Sequence, residues 1–146
     1  MIPSGFRVRW IVLIPLLLMH IGAVSAFWFF TWDAFVAFLV LYFFTADWCA
    51  PCWTLKDNVF SRAQVARLLA EGYVPVEVVD RMREEGANSR DVDRVQLRFL
   101  IDAFPTLVVA RPDKGHGIFE YGLLNEEGMV RYLKRAPEEL RELEGR

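Results

Sequence analysis

The sequence predicts an α/β domain: a mixed β-sheet covered by helices on both faces. Three observations predict it. Phe35 to Phe44 is a ten-residue apolar run without alternation, as in a strand buried on both sides. After it, helical and strand patterns alternate. The alternation then closes in a hairpin around Pro112-Asp113-Lys114-Gly115, which demands an antiparallel pair beside the parallel ones.

The elements follow in order. Leu55, Val59 and Phe60 recur at helical spacing after the first strand. Ser61-Arg62-Ala63-Gln64 has the spacing of a capping box, with Ser61 as N-cap, opening a helix that carries Val65, Leu68 and Leu69 on one face and ends at Gly72. Tyr73 to Val79 reads as a strand, and Arg81 to Arg90 as a charged loop. Ser89 or Asp91 caps the next helix, with Val95, Leu97, Leu100 and Ile101 as its apolar positions. Leu107 to Ala110 and His116 to Tyr121 form the hairpin. Asn125 caps a last helix with Met129, Val130 and Leu133 inward, and Pro137 restarts a short charged helical tail. The first two or three strands are expected to be parallel.

Composition narrows the function. The chain has 146 residues and a net charge of -2, which lacks the basic surface that nucleic acid requires. Hydrophobic residues make up 54 % and aromatics 14 %, concentrated before residue 47, while most charge lies after it. Arg7 and Arg9 precede an apolar stretch from Trp10 to Phe30, interrupted by His20, with no acidic residue before Asp33. Two readings fit. One is an uncleaved anchor, since about 20 apolar residues span a bilayer and Trp10, Trp28 and Trp32 suit its interfaces. The other is a signal peptide cleaved after Val24-Ser25-Ala26. The anchor is favoured, because cleavage there would leave Phe27-Trp28-Phe29-Phe30 at the new terminus. Either way the remainder is exported: an inner-membrane protein with its domain in the periplasm, or a secreted one. A second membrane helix through residues 27–46 competes with the first strand, but no turn separates the two halves. The expected organisation is a signal-anchor over residues 1–32, a folded domain over 33–136 and a charged helical tail over 137–146.

The chemistry lies in the only two cysteines, Cys49 and Cys52, at the junction of the first strand and the first helix. A thiol reacts as its thiolate, and a helix N-terminus stabilises that anion. Pro51 suits the first helical turn, where no N–H is needed. Cys49 is then the attacking thiol, and Cys52, one turn further in and more shielded, resolves the mixed disulfide. Zinc would need a second ligand pair, which His20 and His116 do not supply by spacing. A Cu(I)-handling pair and two structural cysteines remain alternatives, the latter within a redox-idle subunit of a membrane complex.

Ala46-Asp47-Trp48-Cys49-Ala50-Pro51-Cys52 resembles the active-site segment of the thioredoxin superfamily, and Phe104-Pro105-Thr106 resembles its cis-proline element. Asn58-Val59-Phe60-Ser61 with Val65 further resembles the C-terminal domain of the disulfide reductase DsbD and related exported proteins. The resemblance implies a thioredoxin-like fold over about residues 34–136 and protein-disulfide oxidoreductase activity, leaning to reductase. It implies no cofactor beyond a redox-active Cys49–Cys52 disulfide, protein thiols or disulfides as partners, and a membrane electron donor. It also implies a cis Phe104–Pro105 bond facing the dithiol, with the Phe104 backbone pairing to substrate and Pro105 keeping metals off the sulfurs. Three positions depart from the family pattern. Phe43 stands where a buried acid is usual, six residues before Cys49. Lys56 stands where DsbD-like domains carry an acid; pointing inward it would favour a thiolate, and pointing outward it is a solvated lysine. Trp53 replaces a usually charged residue and forms with Trp48 an apolar rim suited to a protein partner.

Overall fold

The computed structural model describes Pro15, residues 17–21 and residues 39–145. It divides into two units, Met1–Phe35 and Val36–Arg146. In the first, Pro15 and residues 17–21 are helical and exposed. The expected Trp10–Phe30 span, the cleavage site and the start of the apolar run lie largely outside the described residues. Among the described residues no helix is long and apolar enough to cross a membrane.

The second unit runs β1 (Leu39–Ala46), α1 (Ala50–Leu55), a wider π-turn (Lys56–Phe60), α2 (Ala63–Gly72), β2 (Tyr73–Asp80), α3 (Met82–Glu85), α4 (Arg90–Phe99), β3 (Thr106–Ala110), β4 (Gly117–Tyr121) and α5 (Glu126–Glu144). The sheet has four strands in the order β2-β1-β3-β4. β1 is parallel to β2 and antiparallel to β3, and β3 is antiparallel to β4. Because residues 39–46 are paired on both sides as a strand, a second membrane helix through 27–46 is excluded over that stretch.

Side chains of a strand alternate between the faces of its sheet. Leu41 and Phe43 of β1 and Leu107 and Val109 of β3 therefore join Leu55, Val59, Val65, Met129, Leu133 and both cysteines on one face, under α1, α2 and α5. Val40, Tyr42 and Phe44, with Val108, turn to the other face against Phe99 of α4. The dithiol helix and the last helix thus share one side of the sheet.

Four local expectations need correction. Ser61 does not cap α2: it is still helical, and its hydroxyl donates back to the Asp57 carbonyl. Arg62 takes the N-cap without a side-chain bond, so the Ser-x-x-Gln spacing is one residue out of step. Leu97 and Leu100 are not core residues but 72 % and 82 % exposed. Phe99 occupies the buried site instead, with Val95 and Val92 one and two turns before it, and Leu100 leaves the helix at φ 52°. The Arg81–Arg90 loop contains the short helix α3.

The fourth is the tail. α5 continues through Pro137, and Leu140 is 1 % exposed within the core, so residues beyond 136 pack with the domain. A proline inside a helix removes the donor for the carbonyl four residues earlier, here Leu133. The Tyr73 hydroxyl donates to that carbonyl. Burial raises the Tyr73 phenol to about 12, so it stays protonated as a donor. Asn125 and Ser89 do cap α5 and α4, accepting from the N–H groups of Gly128 and Val92.

Candidate active site

β1 ends at Ala46, and the chain turns so that the Cys49 N–H donates to the Ala46 carbonyl at 3.0 Å. Cys49 is the N-cap of α1, with extended backbone at φ -84° and ψ 91°. Pro51 lies in the first helical turn and is exposed. The Cys49 Sγ accepts the Cys52 N–H at 3.2 Å. The two cysteines form a disulfide, with Cα atoms 5.3 Å apart. Their expected difference in shielding is not seen in this state, since each is 2 % exposed. With the bond closed, both cysteines pack in the core of that face with Leu55 of α1 and Val59 of the π-turn.

The surrounding aromatics are exposed. Trp48 and Trp53 are 48 % and 52 % accessible. Trp53 Nε1 donates to the Asp47 carbonyl, fixing the indole across the loop. The Trp48 ring meets Phe104 edge-on at 6.0 Å, which brings the dithiol loop against the loop before β3. The guanidinium of Arg83, in α3, lies 5.5 Å over the Trp48 ring. The Phe104–Pro105 bond is cis. Pro105 is buried, its carbonyl accepts the Gly122 N–H, and the next residue, Thr106, is fully buried with its hydroxyl on the Ala103 carbonyl.

Lys56 is neither turned into the core nor free in solvent. Its Nζ donates to both carboxylate oxygens of Glu77, at 2.9 and 3.0 Å, with both side chains roughly half exposed. This pair lines a cleft of about 210 Å³ together with Thr45, Asp47, Cys52, Trp53 and Arg81. Glu77, Arg81 and Arg83 are site residues that the sequence reading missed. The available signal for Glu77 was one charge inside an otherwise apolar strand, Tyr73-Val74-Pro75-Val76-Glu77-Val78-Val79.

Beside the site, Asp80 anchors the loop after β2. Asn88, Gln96 and the Met82 N–H donate to its carboxylate, and Asn88 in turn accepts the Arg81 N–H. Partial burial pushes this carboxyl up, but the three donors outweigh it and hold it below the usual carboxylate range.

The comparisons agree with this geometry. The family model described as thioredoxin-like matches residues 38–112. Among solved structures, the chain is similar to the oxidoreductase DsbH, with 17 % identity and a TM-score of 0.53 over 72 % of this chain and 74 % of that one. It is similar to the C-terminal domain of Neisseria meningitidis DsbD in its reduced form, with 17 % identity and a TM-score of 0.52 over 71 % and 85 %. It also resembles the exposed lipoprotein thioredoxin Etrx1 of Streptococcus pneumoniae, with 15 % identity and a TM-score of 0.51 over 70 % and 88 %. No curated protein sequence matches. By its family match, its fold and its Cys49–Cys52 centre, the chain belongs to the thioredoxin-like family and is a thiol–disulfide oxidoreductase.

Proposed function

We propose that the chain reduces disulfides of exported proteins, using electrons from a membrane donor. The observation that carries this reading is the placement of Cys49: its sulfur accepts a backbone N–H at the start of α1, where a thiolate gains from the helix dipole. The exposed Trp48 and Trp53, with the partly buried Phe104 against Trp48, form a rim that suits a polypeptide partner, since aromatic anchors dominate protein interfaces. In the reaction, the Cys49 thiolate attacks a substrate disulfide and one substrate thiolate leaves. Cys52 loses its proton and attacks the Cys49 sulfur. The second substrate thiolate departs, leaving the Cys49–Cys52 bond and a substrate reduced by two electrons. No cofactor beyond that dithiol enters the reaction. A membrane donor dithiol restores it by the reverse exchange. The basic start and apolar stretch from Trp10 to Phe30 support membrane attachment with the domain on the far side, or export with cleavage.

The test is disulfide reduction by the full chain with Cys49→Ser and Cys52→Ser. Cys49→Ser is expected to be inactive, and activity surviving in it would sink the assignment. Cys52→Ser should accumulate mixed disulfides whose partners identify the substrates. The direction is read from the reduction potential: a value near that of the reductant thioredoxin, about -270 mV, supports reductase, and one near -120 mV supports oxidase. Protease accessibility in intact cells and N-terminal analysis test the compartment.

A further inference from the structure

Resting on the reading above, we propose that Glu77 is the proton acceptor for Cys52 when the dithiol closes. Cys52 is 2 % exposed, so its thiol needs a route by which the proton departs before its sulfur can attack. The cleft described above supplies one. Cys52 and the Lys56–Glu77 pair both line it. Its volume of about 210 Å³ has room for several waters, at about 30 Å³ each in the liquid. The register explains why the carboxylate is there. Glu77 is the parallel-strand partner of Phe43, and Phe43 packs on the same face as both cysteines. Glu77 therefore projects from β2 toward the dithiol side of the sheet. Lys56 holds both its oxygens, leaving their remaining lone pairs for water.

The charged groups facing the cleft are Asp47 from the dithiol loop, Lys56 from the turn after α1, Arg81 from the end of β2, and Glu77 itself. Asp47 is the competing acceptor; Arg81 Nη1 stands 4.0 Å from its Oδ2. An inward charge on an edge strand can also serve merely to block strand pairing. The experiment separates these.

The step balances as follows. The Cys52 S–H bond breaks and its proton passes through water to Glu77. The new thiolate bonds to the Cys49 sulfur, and the Cys49–substrate bond breaks with its electron pair leaving on the substrate sulfur, which takes a proton from solvent. When a donor reopens the Cys49–Cys52 bond, Glu77 returns the proton to Cys52.

The test is a stopped-flow reaction of the reduced full chain with 5,5′-dithiobis(2-nitrobenzoate), whose thiolate absorbs in two phases. The first reports attack by Cys49 and the second reports resolution by Cys52. Glu77→Gln is expected to slow the second phase about a hundredfold at neutral pH, at the low end of general-base effects, and to recover it as pH rises and the thiol ionises unaided. Glu77→Asp should restore part of the neutral-pH rate. Lys56→Met removes the same ion pair but leaves the carboxylate, so it should keep a fast limb that Glu77→Gln loses. Equal losses in those two variants would make Glu77 only a structural partner and overturn the proposal, as would an unchanged second-phase profile in Glu77→Gln or a loss confined to Asp47→Asn. A first phase of unchanged rate in Cys49→Ser would instead refute the oxidoreductase roles themselves.

Discussion

The two faces of the sheet are built differently. On the dithiol face, three helices and the π-turn pack against β1 and β3, and the cysteines are part of that core. The opposite face is covered by α4 and is largely aromatic: Phe99 lies among Tyr42, Phe44 and Phe119, with ring centroids 5.2 to 6.2 Å apart. Both faces hold β1 in place, but only one touches sulfur. Packing on the dithiol face should therefore set reactivity as well as stability, while packing on the aromatic face should set stability alone.

The sharpest way to break this contrast is a pair of truncations. Phe99→Ala should cost about 3–5 kcal/mol, from lost burial plus the cavity left among the rings. Its folded molecules should nevertheless exchange disulfides at the wild-type rate. Leu55→Ala removes a fully buried side chain three residues after Cys52 and should cost about 2–5 kcal/mol. It should also shift the reduction potential. Urea unfolding and redox titration on the same preparations check both, and an altered potential in Phe99→Ala would end the distinction.

A smaller effect comes from the helix starts. Ser89→Ala removes the cap of α4 on the aromatic face and should cost about 1 kcal/mol. Ser61→Ala should stay within about 0.5 kcal/mol, because that hydroxyl satisfies no helix N–H. A loss at Ser61 as large as at Ser89 would restore the capping role that the spacing suggests.

The smallest expected effect is acid dependence at Asp80. Its folded carboxyl lies below the usual value, so it contributes stability at pH above the unfolded value of about 3.9, and that contribution is lost as pH falls through the lowered folded value. Asp80→Asn should therefore destabilise at neutral pH and lose its difference from wild type in strong acid. Denaturation midpoints followed from neutral pH down into strong acid measure this.

These residues also show where the sequence was legible. The dithiol at the strand–helix junction, the Phe104-Pro105-Thr106 element, the hairpin and the caps at Ser89 and Asn125 are short-range patterns, readable within a few residues. Lys56 and Glu77 are 21 residues apart, and nothing local pairs them. Leu97 looks like a core residue until Phe99 takes the buried position. Ser61 has the right spacing and fails because the π-turn before it runs one residue further. Each miss is a case of tertiary packing or backbone geometry overriding a local signal.

Pro137 shows the same override as a rule about permissible change. The helix keeps a residue that should break it because Tyr73, 60 residues away on the edge strand, donates to the orphaned Leu133 carbonyl. The two positions thus form one unit, and substitutions at them should not add. Tyr73→Phe in the natural chain strands a carbonyl, whereas with Pro137→Ala the new N–H fills that role. A double-mutant cycle by chemical denaturation should return a coupling of about 0.5–3 kcal/mol, as for residues sharing one hydrogen-bond network. Among relatives of this chain, proline at position 137 would be tolerated where a hydroxyl donor stands at position 73 and selected against where it does not.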